Sequence, residues 1–477
     1  MDKAELIASS YPFKPTAEQL VFCTKVAGFL AAELDDACFI LRGYAGTGKT
    51  TSVAALVKSL NRFKLRATLL APTGRAAKVM GNYTGRTALT IHKKIYRKRV
   101  AAAIDMSFQL APNLAEHTLF IVDEASMIAD EWNTQSGSSF LKDLLEFIYN
   151  GKNCGVIFVG DTAQLPPVGS IDSPALNKSY LQDNFGLRVT EVELKEVVRQ
   201  EKKSGILANA TMLRKMIHAH EQDEMPIPKF KTKGYKDIFR MTGVKLVEGL
   251  EYAYGKFDIE NTLMVCRSNK SANVYNQQIR SRLLYREEEL TGGDQIMVVR
   301  NNYFWLPDNE STSFIANGDM ARITRVRNVE ERYGFRFSEV QMEFLDYPDA
   351  GAITCKVMLD TLQAESPNLS YEESKKLFEG LSLDYEHITN KRERLNAIKD
   401  DPYYNALQIK FAYAVTCHKA QGGQWDAVFV DQGYLTDEMI DLDFLRWLYT
   451  AVTRAKSELF LVNFAQTLFT EPLEDQY

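Results

Sequence analysis

The segment Gly43–Thr50 reads GYAGTGKT and matches G-x-x-x-x-G-K-[ST], the pattern of a phosphate-binding loop. The apolar run Cys38–Leu41 before it predicts a buried strand, and the apolar spacing of Thr51–Leu60 after it predicts a helix. In that context, backbone N–H groups and the helix N-terminus would bind phosphates. A plain glycine turn before a helix is the alternative. The flanking strand and helix favour a nucleoside triphosphate site.

The residue types within this segment predict which side chains contact the phosphates and the metal. Lys49 would reach the β- and γ-phosphates of ATP, and the Thr50 hydroxyl would ligate Mg²⁺. The contacts to ATP predicted for this segment are Gly43, Ala45, Gly46, Thr47, Gly48, Lys49, Thr50 and Thr51.

Bulk composition predicts a multidomain globular protein. A chain of 477 residues has the length of about three domains. Its 45% hydrophobic and 25% charged residues are typical of packed cores, and no apolar run approaches a membrane span. Six scattered cysteines without a C-x-x-C pair favour reduced thiols over a zinc site, and we see no signal peptide, so we expect a cytoplasmic protein. A net charge of −5 neither indicates nor excludes a nucleic-acid partner.

Strand-like runs alternate with helical segments from Arg66 onward. The runs Arg66–Pro72, Thr118–Ser126 and Asn153–Asp161 end in polar residues, which predicts a parallel sheet with a site at its carboxyl edge. The stretch Thr87–Leu114 breaks the alternation, and we interpret it as an insertion that projects from the sheet. A second strand–helix series begins at Thr262.

The predicted secondary structure changes in the C-terminal half of the chain. Short β-like runs between Gln295 and Leu359 predict a small β-barrel. The charged stretch Ser366–Asp401 predicts helical structure, either a protruding arm or a cover, and Ala406–Val415 predicts one buried strand. Trp305 could stack a base, although a place in the barrel core is the favoured interpretation.

Several polar residues near the predicted sheet edge are candidates for catalysis. Asp123 would hold the metal and Glu124 would activate water, unless they form an ordinary acidic surface pair. Gln164 could sense the γ-phosphate or be a plain turn glutamine. Arg199 and Arg454 are candidate arginine fingers, with solvated arginines as the alternative.

These segments together resemble superfamily 1 helicases, in particular the RecD/Dda-like branch, superfamily 1B. The motif-like stretches follow the order of that family: GYAGTGKT (43–50), APTGRAAKVM (71–80), TALTIHK (87–93), FIVDEASM (120–127), VGDTAQLPPVG (159–169), LKEVVRQ (194–200), VTCHKAQGGQWDAV (415–428) and LYTAVTRAK (448–456). The resemblance favours catalytic roles for Lys49, Glu124, Gln164, Arg199 and Arg454. It also makes Gln19 an adenine contact beside its alternative as a capping-box residue with Thr16, and adds Gly422 to the ATP site.

The resemblance implies an α/β fold with two RecA-like P-loop NTPase domains, each with a parallel sheet. The first would span residues 1–195, with a pin or wedge insertion at about 88–115. The second would combine 196–289 and 403–477, and residues 290–402 would form an inserted SH3-like β-barrel domain with the helical arm. Such a protein hydrolyses ATP with Mg²⁺, moves 5′ to 3′ on single-stranded DNA and unwinds forked or tailed duplexes. Family roles lie in DNA repair, replication and recombination, and we expect a monomeric motor with no membrane partner, associated with the nucleoid if bacterial or phage.

Bound single strands require short hydroxyls, cations and aromatic platforms. The resemblance and these residue types predict DNA contacts at Pro72, Thr73, Lys78, Thr87, His92, Lys93, Tyr96, Arg97, Thr416, His418 and Lys419. The basic cluster Lys93–Arg99 could instead be a solvated helix face, and both histidines could be ordinary loop residues.

Two rival functions remain open from the sequence. One is a nucleotide-gated module that grips nucleic acid without moving along it. The other is a helicase directed to RNA, because helicase cores contact mainly the backbone of their track.

Overall fold

The computed structural model describes residues 2–98, 108–133, 138–197, 204–219, 226–306, 315–346, 351–366 and 368–470. In the N-terminal part the strands are β1 (Ala37–Gly43), β2 (Arg66–Ala71), β3 (Ala88–Thr90), β4 (Tyr96–Lys98), β5 (Phe108–Leu110), β6 (Thr118–Val122), β7 (Trp132–Asn133), β8 (Ser138–Ser139), β9 (Gly155–Gly160) and β10 (Arg188–Leu194). The helices are α1 (Lys3–Ala8), α2 (Ala17–Phe29), α3 (Lys49–Ser59), α4 (Gly74–Thr84), α5 (Ile91–Ile95), α6 (Phe140–Tyr149) and α7 (Lys178–Phe185).

A six-stranded parallel sheet organises this part of the chain, in the order β10-β1-β9-β6-β2-β3. Side chains of β1 alternate between two cores, because successive residues of a strand point to opposite faces. Phe39 and Leu41 pack with Leu56 of α3, whereas Cys38 and Ile40 pack on the face covered by α6 and α7. Burial on both faces explains the continuous apolar runs of the sequence. All six cysteines of the chain are buried free thiols.

The predicted insertion begins at the sheet's edge. Strand β3 pairs with β2 and so belongs to the sheet, and α5 follows it directly. Strands β4 and β5 then form a separate antiparallel pair, with Tyr96 opposite Leu110. The predicted projection therefore corresponds to α5 and the β4–β5 pair. Residues 99–107 between them lie outside the described part.

A second sheet and a barrel occupy the C-terminal part. The remaining strands are β11 (Ile238–Met241), β12 (Thr262–Cys266), β13 (Gln295–Val298), β14 (Met320–Arg332), β15 (Phe335–Phe344), β16 (Ala352–Met358), β17 (Leu407–Phe411), β18 (Ala414–Thr416), β19 (Trp425–Asp431) and β20 (Ala455–Val462). The remaining helices are α8 (Gly205–His218), α9 (Leu246–Phe257), α10 (Asn269–Gln278), α11 (Tyr371–Asp384), α12 (Lys391–Lys399), α13 (Cys417–Ala420) and α14 (Leu442–Val452).

The second sheet has five parallel strands in the order β11-β20-β19-β12-β18, and β13 to β17 close into a barrel. These sheets and the barrel confirm the predicted fold class. The predicted single strand Ala406–Val415 is wrong, because it is broken at Ala412 and Tyr413. Its first part, β17, closes the barrel, and its second part, β18, joins the sheet. The proposed domain boundaries stay a prediction.

The predicted helices of Ser366–Asp401 are confirmed as α11 and α12, and they pack as a cover on the β14–β15 side of the barrel. Leu377, Leu381 and Ile398 of the arm share a small core with Phe335 and Phe337. Within the described residues, no helix has the length and apolar character needed to cross a membrane.

Candidate nucleotide site and nucleic-acid interface

The loop between β1 and α3 has the backbone of a phosphate-binding turn. Gly46 and Gly48 adopt φ values of 80° and 86°, in the left-handed region that glycine enters without strain. At Gly43 an added Cβ would lie 2.8 Å from Thr47 Oγ1, so the loop closes tightly on itself. The sequence therefore folds as the motif predicts, with glycine where side chains have no room.

Polar groups of the loop make defined contacts. Lys49 Nζ donates to the carbonyl oxygens of Gly43 and Tyr44. Thr50 is exposed in the first turn of α3. The N–H of Ala45 donates to the Tyr449 hydroxyl of α14 at 3.0 Å, so the second sheet's helix reaches the loop.

Asp123 and Glu124 follow β6 directly, at the carboxyl edge of the sheet. Asp123 Oδ1 accepts the Glu124 N–H at 2.9 Å, and its Oδ2 accepts the Tyr83 hydroxyl at 2.6 Å. Glu124 has a φ of 51°, a left-handed conformation that costs energy for this residue type and is common at functional sites. Burial raises the pKa of Glu124, while Arg454 and Lys49 act to lower it. The structure thus groups four predicted residues: Lys49, Asp123, Glu124 and Arg454.

Arg454 lies just beyond α14 and is buried. Its guanidinium donates to the carbonyl oxygens of Thr450 at 2.9 Å and Gly423 at 3.1 Å, and to Thr453 Oγ1 at 3.2 Å. These bonds hold the guanidinium at the border between the two sheets, where its positive charge acts to lower the pKa of Glu124. The other predicted arginine finger, Arg199, lies outside the described residues.

Gln164 is buried in the segment after β9. Among the described residues its Oε1 has no hydrogen-bond partner, although buried polar atoms are normally paired. A cleft of ≈ 520 Å³ beside it is lined by residues of both parts of the chain, including Thr162, Glu193, His218 and Arg446. The position agrees with a residue that contacts a ligand at the border, and the sensing role stays a prediction.

Gln19 satisfies the capping-box interpretation. Its Oε1 accepts the Thr16 N–H at 3.0 Å, and the Thr16 Oγ1 accepts the Gln19 N–H at 3.3 Å. Its Nε2, however, is buried and finds no partner among the described residues. Capping occupies the oxygen and leaves the amide donor for another group, so the capping interpretation and an adenine contact are compatible.

Hydrogen bonds tie the Asp161–Leu165 segment after β9 to α14 and to the loop before β19. The Tyr449 hydroxyl donates to Asp161 Oδ2 at 2.7 Å, Leu165 N–H donates to Thr450 Oγ1 at 2.9 Å, and Gln421 Nε2 donates to Leu165 O at 2.8 Å. The sequence interpretation gave Tyr449 and Asp161 no role, although both lie within the motif-like stretches 448–456 and 159–169.

A magnesium site requires oxygen ligands beside the phosphates. The Thr50 hydroxyl and the Asp123 carboxylate are suitable donors, and Mg²⁺ is held through few protein groups and the nucleotide itself. Among the described residues, no cluster of three acidic, histidine or cysteine side chains could hold a metal alone. The donor set therefore fits a metal that arrives with the nucleotide.

The predicted strand-binding segment before and within α4 contacts the barrel. Thr73 caps α4 by accepting the Ala76 N–H at 3.2 Å. Lys78 Nζ donates to Leu345 O and lies 3.9 Å from Asp346 Oδ1. Asp346 is buried, and burial raises its pKa against the effect of neighbouring cations. A DNA phosphate at Lys78 would therefore compete with a barrel carboxylate.

Arg75 is a neighbouring cation that the sequence interpretation missed. Its guanidinium lies 4.2 Å from the Trp425 ring centroid and 3.9 Å from Asp346 Oδ1. Gly422, predicted to bind ATP, has Ala76 and Thr73 as its nearest neighbours, at 2.9 and 3.1 Å from an added Cβ. Its role at the nucleotide stays a prediction, since these contacts are to the predicted strand-binding segment.

Residues of α5 and β4 are more packed than a solvated basic face. His92 stacks on Phe140 with ring centroids 4.4 Å apart, and burial lowers its pKa to about 4. The Tyr96 hydroxyl donates to Asp143 Oδ2 at 2.6 Å. Burial lowers the pKa of Lys93, and the negative charge of Asp319 in the barrel acts in the opposite direction. Their DNA contacts stay predictions, and His92 would act as a neutral group.

Other predicted strand contacts lie at accessible positions. Thr87, Arg97 and His418 are exposed, Pro72 and Thr416 are half-buried, and Lys419 is half-buried beside Lys410. Burial and Lys410 lower the pKa of Lys419 to about 8. Trp305, by contrast, donates through Nε1 to Asn405 O at 2.7 Å and packs on the barrel core, as its favoured interpretation predicts.

Known proteins resemble this chain over nearly its whole length. Residues 27–224 match the model described as AAA domain, and residues 411–462 match the model described as UvrD-like helicase C-terminal domain. The ATP-dependent RecD2 DNA helicase of Deinococcus radiodurans is 25% identical over 432 residues, covering 88% of this chain and 46% of that protein. The ATP-dependent DNA helicase dda of Enterobacteria phage T4 is 25% identical over 445 residues, covering 88% and 93%. A solved structure of Pif1 helicase from Bacteroides in complex with ADP-AlF3 and ssDNA aligns at 14% identity with a TM-score of 0.46, covering 96% and 94%.

The ordered motifs, the two parallel sheets with an inserted barrel, and the matching family models and relatives agree with one another. Together these findings support a superfamily 1 helicase of the RecD/Dda-like branch, 1B.

Proposed function

We propose that this protein is an ATP-dependent DNA helicase that moves 5′ to 3′ on single-stranded DNA and unwinds duplex DNA. The observation that carries this proposal is the grouping around Glu124 of charges from both parts of the chain. Lys49 and Asp123 come from the first sheet, and Arg454 comes from the second. A site completed across two domains couples ATP turnover to their relative movement. The names of the RecD2 and dda relatives, both DNA helicases, support the same function.

The chemistry follows from the side chains at the site. The loop N–H groups and Lys49 would bind the phosphates, while Glu124 would accept a proton from the attacking water. Arg454 would stabilise charge on the transferred phosphoryl group, together with Arg199. Gln164 would contact the γ-phosphate, and Gln19 Nε2 would donate to the adenine. Mg²⁺ held by Thr50 and Asp123 would neutralise charge on the β- and γ-phosphates.

The track for DNA would run across the carboxyl edges of the two sheets. Thr73 and Lys78 would contact it from the first sheet, and Thr416, His418 and Lys419 from the second. Closing and opening of the cleft during each ATP cycle would alternate the grip of these two groups and move the protein along the strand. The β4–β5 pair would act as the wedge that separates the duplex.

One chain carries every residue of this proposed machinery. Nucleotide site, strand contacts and wedge all come from the same sequence, so we propose a monomeric motor. Forked or tailed duplexes would be its substrates, because the strand track requires a free single strand for loading.

Steady-state ATP hydrolysis with and without single-stranded DNA tests the proposal, followed by unwinding of duplexes with a 5′ or a 3′ tail. We expect strong stimulation by DNA and unwinding from the 5′ tail, and no turnover in Lys49→Ala. Stimulation by RNA instead of DNA would favour an RNA-directed helicase. Indifference to both would leave a nucleotide-gated binding module and refute the helicase.

A further inference from the structure

The Tyr449 hydroxyl lies where three elements meet: α14, the end of β9 and the phosphate loop. It donates to Asp161 Oδ2 at 2.7 Å and accepts the Ala45 N–H at 3.0 Å. The side chain is only 1% exposed, and burial raises the pKa of Tyr449 well above its usual value. The hydroxyl therefore keeps its proton and can make both bonds at once.

Asp161 is oriented on its other side as well. Its Oδ1 accepts the Ala163 N–H at 3.0 Å, which fixes the carboxylate within the segment that leads to Gln164. Asp161 also lies close enough to Glu124 to raise the pKa of that carboxyl. The Tyr449 hydroxyl thus joins the phosphate loop to the segment that carries Gln164, and both flank the proposed base.

Tyr44, the residue before Ala45, is also held by side chains from β10 and α8. The Tyr44 hydroxyl donates to Glu193 Oε1 at 2.6 Å and contacts His218 Nε2. Arg214 of α8 lies 4.5 Å from the Tyr44 ring centroid. Helices α8 and α14 pack against each other and share one core with Tyr44, so they contact two adjacent loop residues together.

We propose that Tyr449 is a positioning residue, through which movement of the second domain sets the geometry of the phosphate loop relative to the Asp161–Gln164 segment. This inference rests on the proposed function. Backbone N–H groups of the loop bind phosphate oxygens in a fixed geometry, and a small displacement at a catalytic site has a large effect on rate. DNA held by the second domain would shift α14, and the Tyr449 hydroxyl would carry that shift to Ala45 and Asp161. The Lys49 and Thr50 side chains, which are proposed to hold the phosphates and the metal, make no described hydrogen bond with Tyr449.

Tyr449→Phe tests the inference because it removes only the hydroxyl. We expect the kcat for ATP at saturating single-stranded DNA to fall about tenfold, because a fall of that size corresponds to the loss of buried hydrogen bonds made by one hydroxyl. The KM for ATP should change by less than about threefold, because the substitution leaves the groups that bind the nucleotide equally in the ground and transition states unchanged.

The matched control is Tyr413→Phe. Tyr413 is equally buried and donates to Asp294 at 2.9 Å, but it lies in the barrel region. The Tyr413→Phe variant should lose about as much stability as Tyr449→Phe and should keep the DNA-stimulated kcat of the wild type.

Three results would overturn the inference. One is full DNA stimulation in Tyr449→Phe, and another is a raised KM with an unchanged kcat, which would make Tyr449 a binding residue. The third is an equal loss of kcat in both variants, in step with their melting temperatures. If the wild-type protein itself showed no stimulation by DNA, the proposed function would fail, and that outcome is separate from the first three.

Discussion

Asp346→Asn should tighten the binding of single-stranded DNA. The carboxylate lies 3.9 Å from both Arg75 and Lys78, and its side chain is 2% exposed. At an effective dielectric constant of about 20, each pair is worth about 4 kcal/mol before desolvation is counted. Desolvation of the buried carboxylate offsets most of that attraction. We expect a net competition of about 1 kcal/mol, or about fivefold in affinity, to be relieved when the charge is removed.

Fluorescence anisotropy of a labelled oligonucleotide, measured over a range of salt concentrations, checks this prediction. A freed Lys78 that contacts one more phosphate would steepen the salt dependence by up to about 0.7 in log–log slope. Glu339→Gln is the matched control, since it removes a barrel carboxylate that pairs with Arg327 at 3.3 Å on an exposed surface. Its DNA affinity should stay unchanged. A folded Asp346→Asn protein with equal or weaker affinity than the wild type would refute the competition.

Further predictions concern the proposed chemistry and its pH dependence. Glu124→Gln should retain ATP binding and lose most turnover; fast hydrolysis would exclude Glu124 as the base. Because burial raises the pKa of Glu124, the wild-type kcat should fall with decreasing pH at a higher pH than for an exposed glutamate, as a pH–rate profile would reveal. Arg454→Ala should reduce kcat by about 10³-fold or more with little change in ATP affinity, and the reverse pattern would make Arg454 a binding residue. The pKa of Lys419 lies at about 8, so its positive charge is lost as the pH rises through that value and DNA affinity should fall. Lys419→Arg should remove this step in anisotropy titrations between pH 7 and about 9, since arginine stays charged; an unchanged step would assign the titration elsewhere.

Local patterns predicted much of the site because they encode local geometry. GYAGTGKT requires glycine at two left-handed positions, and the structure has Gly46 and Gly48 there. The capping pair of Thr16 and Gln19 is likewise a contact between residues three positions apart. The strand predicted over Thr118–Ser126 exists but ends at Val122, so Asp123 follows it at the edge of a parallel sheet.

Contacts between distant segments could not be predicted in this way. The break at Ala412 and Tyr413 sends one predicted strand into two different sheets, and residues on both sides of the break are buried. Likewise, Lys78 has the residue type of a phosphate contact, yet it contacts Leu345 and Asp346 of the barrel. Burial of His92 against Phe140 also depends on a helix almost 50 positions away in the chain.

The sequence by itself determined the phosphate loop, the alternating strands and helices, and the ordered motifs that resemble superfamily 1 helicases, because these depend on residue type and spacing along the chain. Only the tertiary structure decided which groups meet between the sheets. Tyr449 reaches Ala45 and Asp161 across separations of several hundred residues, and nothing in its local sequence specifies that contact. Packing of α8 and α14 against the loops that follow β1 and β9 brings the hydroxyl there, since burial of a polar group is favourable only where partners for it exist.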